Sequence, residues 1–327
     1  MQIFQIIADA MGSLTAGGSP VFTWLGTMPG AFTQGLIWGL MAIGLYITFK
    51  ILDVADLTVD GSICTGAAVC AFLLQKGYNI WISMIGAFIA GAVAGLATGL
   101  LHTFLGIPVI LAGILTQLML WSANLIILGG SMIGLSRFKY ADRVLIQAES
   151  ACNSPEVYRA LTILLLFCAV VIGILYWFFG TRTGISLRST GSNLEMSRAQ
   201  GINTNFTKVL GLAISNGIVA LSGSLLAQQQ GAANINMGKG AIVVGLAAII
   251  VGEVFCRMTS NFALKLACVV LGAMIYWGVY QTVIFFGLPS EYLKMLSALV
   301  VAVFLGAPYI KNTYFKKRKK AKVNKNA

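Results

Sequence analysis

Apolar runs of about 20 residues, the length a helix needs to cross a hydrocarbon core of roughly 30 Å, recur along this sequence. They cover Phe32–Phe49, Ile80–Leu101, Val109–Leu128, Ala160–Phe179, Ala263–Phe286 and Leu293–Leu305. In a chain of 327 residues with a mean hydropathy of +0.86, this is more apolar surface than a water-soluble core of that length hides. The expected fold class is therefore an all-α polytopic membrane protein. Nine spans are expected, within a range of eight to ten, near residues 31–52, 58–75, 79–101, 107–129, 158–180, 206–229, 236–255, 261–286 and 290–309. Residues 1–30 have only a short apolar stretch and no basic segment ahead of it, so they are expected as an extracytoplasmic interfacial segment. Residues 31–310 then form the membrane domain and residues 311–327 a basic cytoplasmic tail.

The net charge of +12 does not point to nucleic acid. Eight of the 22 Lys and Arg lie in the last 17 residues, and the 14 that remain against 10 acids leave the rest of the chain at +4. Such a tail reads as a positive-inside signal that also touches anionic lipid. With nine spans the tail decides the orientation, because seven cations fall on each side without it: Lys50, Arg182, Arg188, Arg198, Lys208, Arg257 and Lys265 on the inner side, Lys76, Arg137, Lys139, Arg143, Arg159, Lys239 and Lys294 on the outer. The location implied is a membrane crossed several times, with the C-terminus cytoplasmic. Six cysteines show no CxxC spacing, and most fall inside apolar runs, where a thiol behaves as a small hydrophobe.

Three features stand out against the apolar background. The stretch LDVADLTVDGS, Leu52–Ser62, places Asp53, Asp56 and Asp60 between two spans. It reads either as a turn in which Asp60 or Ser62 caps the next helix, or as a broken helix whose backbone lines a cavity. NINMGKG, Asn234–Gly240, is its possible counterpart, and in the nine-span arrangement the two breaks fall on opposite faces, as in an inverted repeat. Next, Gly91, Gly95 and Gly99 recur on one helix face and let a neighbouring backbone approach. Finally, Gln117, Trp121 and Asn124 form a polar and aromatic stripe, with Asn216 raising the same question in a later span. Amides are costly against lipid, so these side chains serve either interhelical hydrogen bonds or, with Asp60, a solute path.

Enzymatic chemistry is poorly provided for. His102 is the single histidine, which excludes a histidine-ligated metal cluster and leaves one candidate for any Ser-His-Asp arrangement, so neither catalytic nor metal-binding residues are expected. MGKG has neither the spacing nor the terminal hydroxyl of a phosphate-binding loop, so the chain is expected to bind no nucleotide and no other cofactor of its own. Acids able to couple a proton or sodium ion are few, Asp60 and Glu253 being the best placed.

The polar segment Gly191–Asn203, GSNLEMSRAQGIN, interrupts the apolar runs inside a loop expected over residues 181–205. Ser192 and Glu195 have the spacing of a capping box, and Gly201 stands where a left-handed residue ends a helix. Between them fit about two turns, too few to be stable in water without a partner. With Glu195 and Arg198 at i, i+3 and Leu194 and Met196 apolar, Ser192–Gln200 is expected as a docked helix.

At these residues the sequence resembles the permeases of the branched-chain amino acid and ribose family of ABC importers. Arg188, Gly191, Asn193, Arg198 and Gly201 with Ile202 match that family's cytoplasmic loop pattern. QGLIWGLMAIGLYITFKILDVADLTVDGS resembles its first span and break, and GKGAIVVGLAAIIVGE its late Gly-rich segment. Where the commoner family sequence has a His-Gly pair in the first break, this chain has Val59-Asp60-Gly61, which looks more like a subgroup associated with tryptophan or tyrosine uptake. The resemblance implies a type II importer transmembrane domain and a coupling helix seated on a partner ATPase that holds ATP and magnesium. It also implies an extracytoplasmic substrate-binding protein and a second copy of the chain. An ion-coupled secondary transporter and a structural assembly subunit are the competing readings.

Overall fold

In a computed structural model of the full chain, the residues described are 20–135, 155–256, 261–285, 295 and 302. Ten α-helices, α1 to α10, follow one another there: Pro20–Tyr46, Val59–Gln75, Ile80–Phe104, Val109–Leu128, Pro155–Gly180, Arg182–Ser192, Leu194–Ala199, Thr204–Gln230, Ala241–Phe255 and Phe262–Phe285. Six of the described helices are long and apolar enough to cross a membrane, whereas α2 and α9 are shorter apolar helices. The nine expected spans thus reduce to six full and two partial ones among the described residues, and the span expected at 290–309 lies almost wholly outside them. One boundary moves substantially. Residues 20–30, expected in an interfacial segment, extend α1 with Pro29 inside it. Membrane helices tolerate such a proline because neighbouring groups re-satisfy the freed backbone.

α8 is the central post. Gly91, Gly95 and Gly99 of α3 lie against its backbone: an added Cβ at Gly95 would strike the Leu212 carbonyl, and one at Gly91 the Asn216 carbonyl. On another side, Gly223 of α8 meets the Ile63 carbonyl of α2. Against α1, the contact is made by hydroxyls: Ser215 Oγ donates to the Gly44 carbonyl and Ser222 Oγ to that of Ile37, both at 2.7 Å. Small residues and interhelical hydrogen bonds hold a bundle where lipid offers no hydrophobic driving force between helices.

Both sequence breaks are real, and they meet. α1 passes through a π-turn, Ile47–Ile51, then a left-handed Asp53 (φ 55°), before α2 begins at Val59. Two short antiparallel strands, β1 Met132–Gly134 and β2 Ala232–Asn234, tie the chain after α4 to the chain after α8. From β2 the segment 235–240 runs back to α2, where Cys64 Sγ donates to the Ile235 carbonyl and accepts from the Gly238 N–H, each at 3.2 Å. Asp60 then accepts from the N–H groups of Gly240 (3.1 Å) and Ile242 (3.0 Å), capping α9 from a different helix. Through these contacts the starts of α2 and α9 meet, and the far part of α9 returns to the end of α1, where Glu253 pairs with Lys50. Of the two readings of the first break, the turn capped by Asp60 or Ser62 gives way, since it is Asp56 Oδ1 that accepts from the Thr58 N–H at the start of α2 (2.9 Å).

At 17 and 15 residues, α2 and α9 are ~25 Å and ~22 Å long. Neither crosses a core of roughly 30 Å, so their joined N-termini lie at bilayer depth. The first N–H groups of α9 have no acceptor within their own helix, and the Asp60 carboxylate of α2 supplies one.

Two outcomes are expected from this packing. Gly95→Leu should prevent formation of a monodisperse protein in size-exclusion chromatography, while Gly173→Leu on α5, with open space around it, should not. Asp60→Ala, which strands two N–H groups at about 1–3 kcal/mol each, should lower the thermal unfolding midpoint in detergent by several degrees, and Asp60→Asn, which keeps one acceptor, by less.

Candidate functional site

The polar segment begins with a helix that sequence inspection does not anticipate. Thr181 Oγ1 accepts from the Gly184 N–H and starts α6, which runs Arg182–Ser192 and is held by a fully buried Leu187. The Thr190 and Thr207 hydroxyls hydrogen-bond at 3.0 Å, joining α6 to α8. At its end, Gly191 presses against the Ile51 carbonyl so closely that a Cβ would overlap it. Any larger residue would separate α6 from the π-turn.

α7, Leu194–Ala199, follows at once, and its cap is not the expected one. Asn193 Oδ1 accepts from the Met196 N–H (3.0 Å), while Ser192 Oγ donates backwards to the Ser189 carbonyl (3.0 Å). Glu195 turns to Arg198 instead of the Ser192 N–H, at a loose 3.7 Å between two exposed side chains. The capping box fails because Ser192 is already the last residue of α6 and unavailable as a half-extended cap; Asn193, at φ −157°, has the geometry required. The stop is as expected. Gly201 is left-handed (φ 78°), and the bonds Gly201 N–H to Arg198 O and Ile202 N–H to Ser197 O complete a Schellman motif. Asn203 then caps α8 by accepting from the Phe206 N–H (3.2 Å).

α7 is pinned on one side and open on the other. Ser197 is fully buried and hydrogen-bonded to Ser189 of α6 (2.9 Å), and Arg198 Nε donates to Thr204 Oγ1 (3.2 Å). Met196, on the open side, is 59% exposed, and Leu194 is half-buried. Arg188 takes no part in α7; its guanidinium lies over the rings of Phe262 (4.1 Å) and Phe179 (5.2 Å). His102 stands beside the segment as a fastener, with Nδ1 at 2.8 Å from the Ile107 carbonyl and Nε2 at 3.3 Å from Lys208 Nζ.

The polar residues picked out within the spans divide into two groups. Asn216 is fully buried: Nδ2 donates to Asp56 Oδ2 (2.6 Å) and Oδ1 accepts from Ser62 Oγ (2.6 Å). It clasps the first break to α8 and has no open face. The Gln117 backbone packs against Gly61 next to Asp60, and the Lys239 ammonium lies 4.6 Å over the half-exposed Trp121 ring, so these last two side chains gather near the start of α9. Asn124 is buried with its Oδ1 unpartnered among the described residues. The sequence draws attention to the positions of Asp56 and Lys239 but not to what they do: Asp56 holds Asn216 and the start of α2. Lys239 looks like an ordinary loop cation, and only its proximity to Asp60 and Trp121 brings it to bilayer depth.

The family described as "Branched-chain amino acid transport system / permease component" matches residues 28–305. A tyrosine transport system permease protein of Clostridioides difficile is 39% identical over 274 residues, covering 84% of this chain and 88% of that one. The protein RP368 of Rickettsia prowazekii is 33% identical, with 85% and 96% covered, and an autoinducer 2 import system permease of Salmonella typhimurium is 24% identical, with 84% and 76% covered. With its broken apolar helices and a family match across most of its length, this chain belongs to the branched-chain amino acid and ribose-type ABC permeases and is a multi-pass membrane protein.

Proposed function

We propose that this permease is the membrane subunit of an ATP-driven importer for an amino acid, aromatic in side chain, and that α7 is the element through which a partner ATPase drives it. The observation that carries the coupling role is the build of α7: capped at both ends, pinned through Ser197, and exposing Met196 on its open side. A lever has to move as a unit, and helix stops at Asn193 and Gly201 define one. Motion of α7 reaches α6 through the Ser189–Ser197 bond and the first break through the contact of Gly191 with Ile51. The substrate class rests on the 39% identity to a tyrosine permease.

The remaining parts follow from that reading. The ATPase binds ATP and magnesium, an extracytoplasmic protein delivers the solute, and the tail lies in the cytoplasm. Two ATPase sites need two docking helices, and one copy of α7 per chain makes a symmetric homodimer the simplest closure. Lys239 and Trp121, open at bilayer depth, then face a wet path on the two-fold axis, because a charge there is costly against lipid. An ion-coupled carrier gains no support from the membrane acids: Asp56 and Asp60 are both engaged by N–H donors.

Uptake of labelled tyrosine into proteoliposomes holding the permease, its ATPase and its binding protein tests the proposal; it should require ATP, and transport persisting without ATP would overturn it. Met196→Glu should leave the unfolding midpoint unchanged, release the ATPase in pull-down and reduce transport to background. Retention of ATPase and transport would remove α7 from the coupling role. Cysteine placed at Trp121 or Lys239 should react with a water-soluble thiol reagent in at least one nucleotide state, whereas cysteine at Asn216 should stay protected.

A further inference from the structure

A second polar site lies apart from the solute path. Where the π-turn, the end of α6 and the start of α10 converge, they enclose a cavity of about 280 Å³ lined by Tyr46, Lys50, Arg188, Ser192, Phe262 and Lys265 among others. Three cations reach it, each from a different element. Only one of them has an acidic partner among the described residues: Lys50 pairs with Glu253 at 2.7 Å. Arg188 is held through its faces by Phe262 and Phe179, which leaves its edge donors free for another ligand. Converging like charges around an open cavity are unfavourable unless an anion joins them.

The position identifies the anion. α1 ends here, α5 ends nearby at Gly180 and α10 begins at Phe262, so the cavity sits where membrane helices emerge from the hydrocarbon. Adjoining two of the cations in sequence, outside the cavity lining, are exposed apolar residues, Phe49 before Lys50 (41% exposed) and Leu264 before Lys265 (50% exposed). Cations at the mouth with apolar surface alongside match a phosphate that carries acyl chains. We propose that this cavity binds the phosphate headgroup of an anionic phospholipid, with the acyl chains lying along Phe49 and Leu264. Gly191 and Ser192 line the same cavity, so the bound headgroup bridges the first break, α6 and α10 directly ahead of α7.

The test uses the full chain, purified in a neutral detergent, with thermal unfolding and native mass spectrometry as readouts. Phosphatidylglycerol should raise the unfolding midpoint and appear as a retained adduct, while phosphatidylcholine should do neither. Arg188→Gln combined with Lys265→Gln should demand at least tenfold more phosphatidylglycerol for the same shift. Lys265→Gln alone, at an exposed lysine without a described partner, covers the case in which the double variant misfolds, and should still weaken the response several-fold. Inorganic phosphate giving the same Arg188-dependent shift would assign the site to a free anion and overturn the lipid proposal. An unchanged phosphatidylglycerol response in the variants would overturn it too, including when they release the ATPase, since the cations would then serve a subunit contact.

Discussion

Two backbone breaks leave N–H groups at helix starts without acceptors in their own helices, and in this protein aspartate supplies them. Asp56 takes the N–H at the start of α2 and the amide of Asn216; Asp60 takes two N–H groups at the start of α9. A helix N-terminus carries partial positive charge, so a carboxylate is suited to both places. Each aspartate also joins elements distant in sequence, and α2 and α9 can stop at mid-depth only because the other half of the junction is present.

That junction is mechanically continuous with the polar segment. The π-turn leads into the first break, Gly191 lies on the π-turn, and α7 follows Gly191 after two residues. Glycine is needed at 191 for contact distance rather than for its backbone angle, whereas at 201 the left-handed angle itself is the requirement. Substituting either would act at different points: the first would loosen α6 from α1, the second would blur the end of α7. The cationic cavity beside Gly191 adds a place where the surrounding membrane can act on the same hinge.

Much of the scaffold was legible from local signals. Expected limits of 79–101, 107–129, 158–180, 206–229 and 261–286 fall close to α3, α4, α5, α8 and α10, because apolar length and flanking polar residues are properties of the segment itself. The glycine face at 91, 95 and 99 does lie against another backbone. The errors came where two local solutions compete. Ser192 and Asn193 both suit an N-cap, and the choice fell to Asn193 because α6 claims Ser192 as its final residue.

By itself the sequence determined that this chain lives in a membrane, where its long helices run, and that a short helix ends at Gly201. Each of these is encoded within a few turns of chain, in apolar length, a left-handed glycine or a polar interruption. Only the tertiary structure decided that the two breaks meet, that Asp60 caps a helix 182 positions away, and that Asn216 is spent on Asp56 across 160 positions instead of facing a solute. A carboxylate or amide in a span states that a partner is required, because leaving it bare in hydrocarbon is costly. Which partner it finds is fixed by how the helices pack, and that is set by close contacts between backbones far apart in the chain.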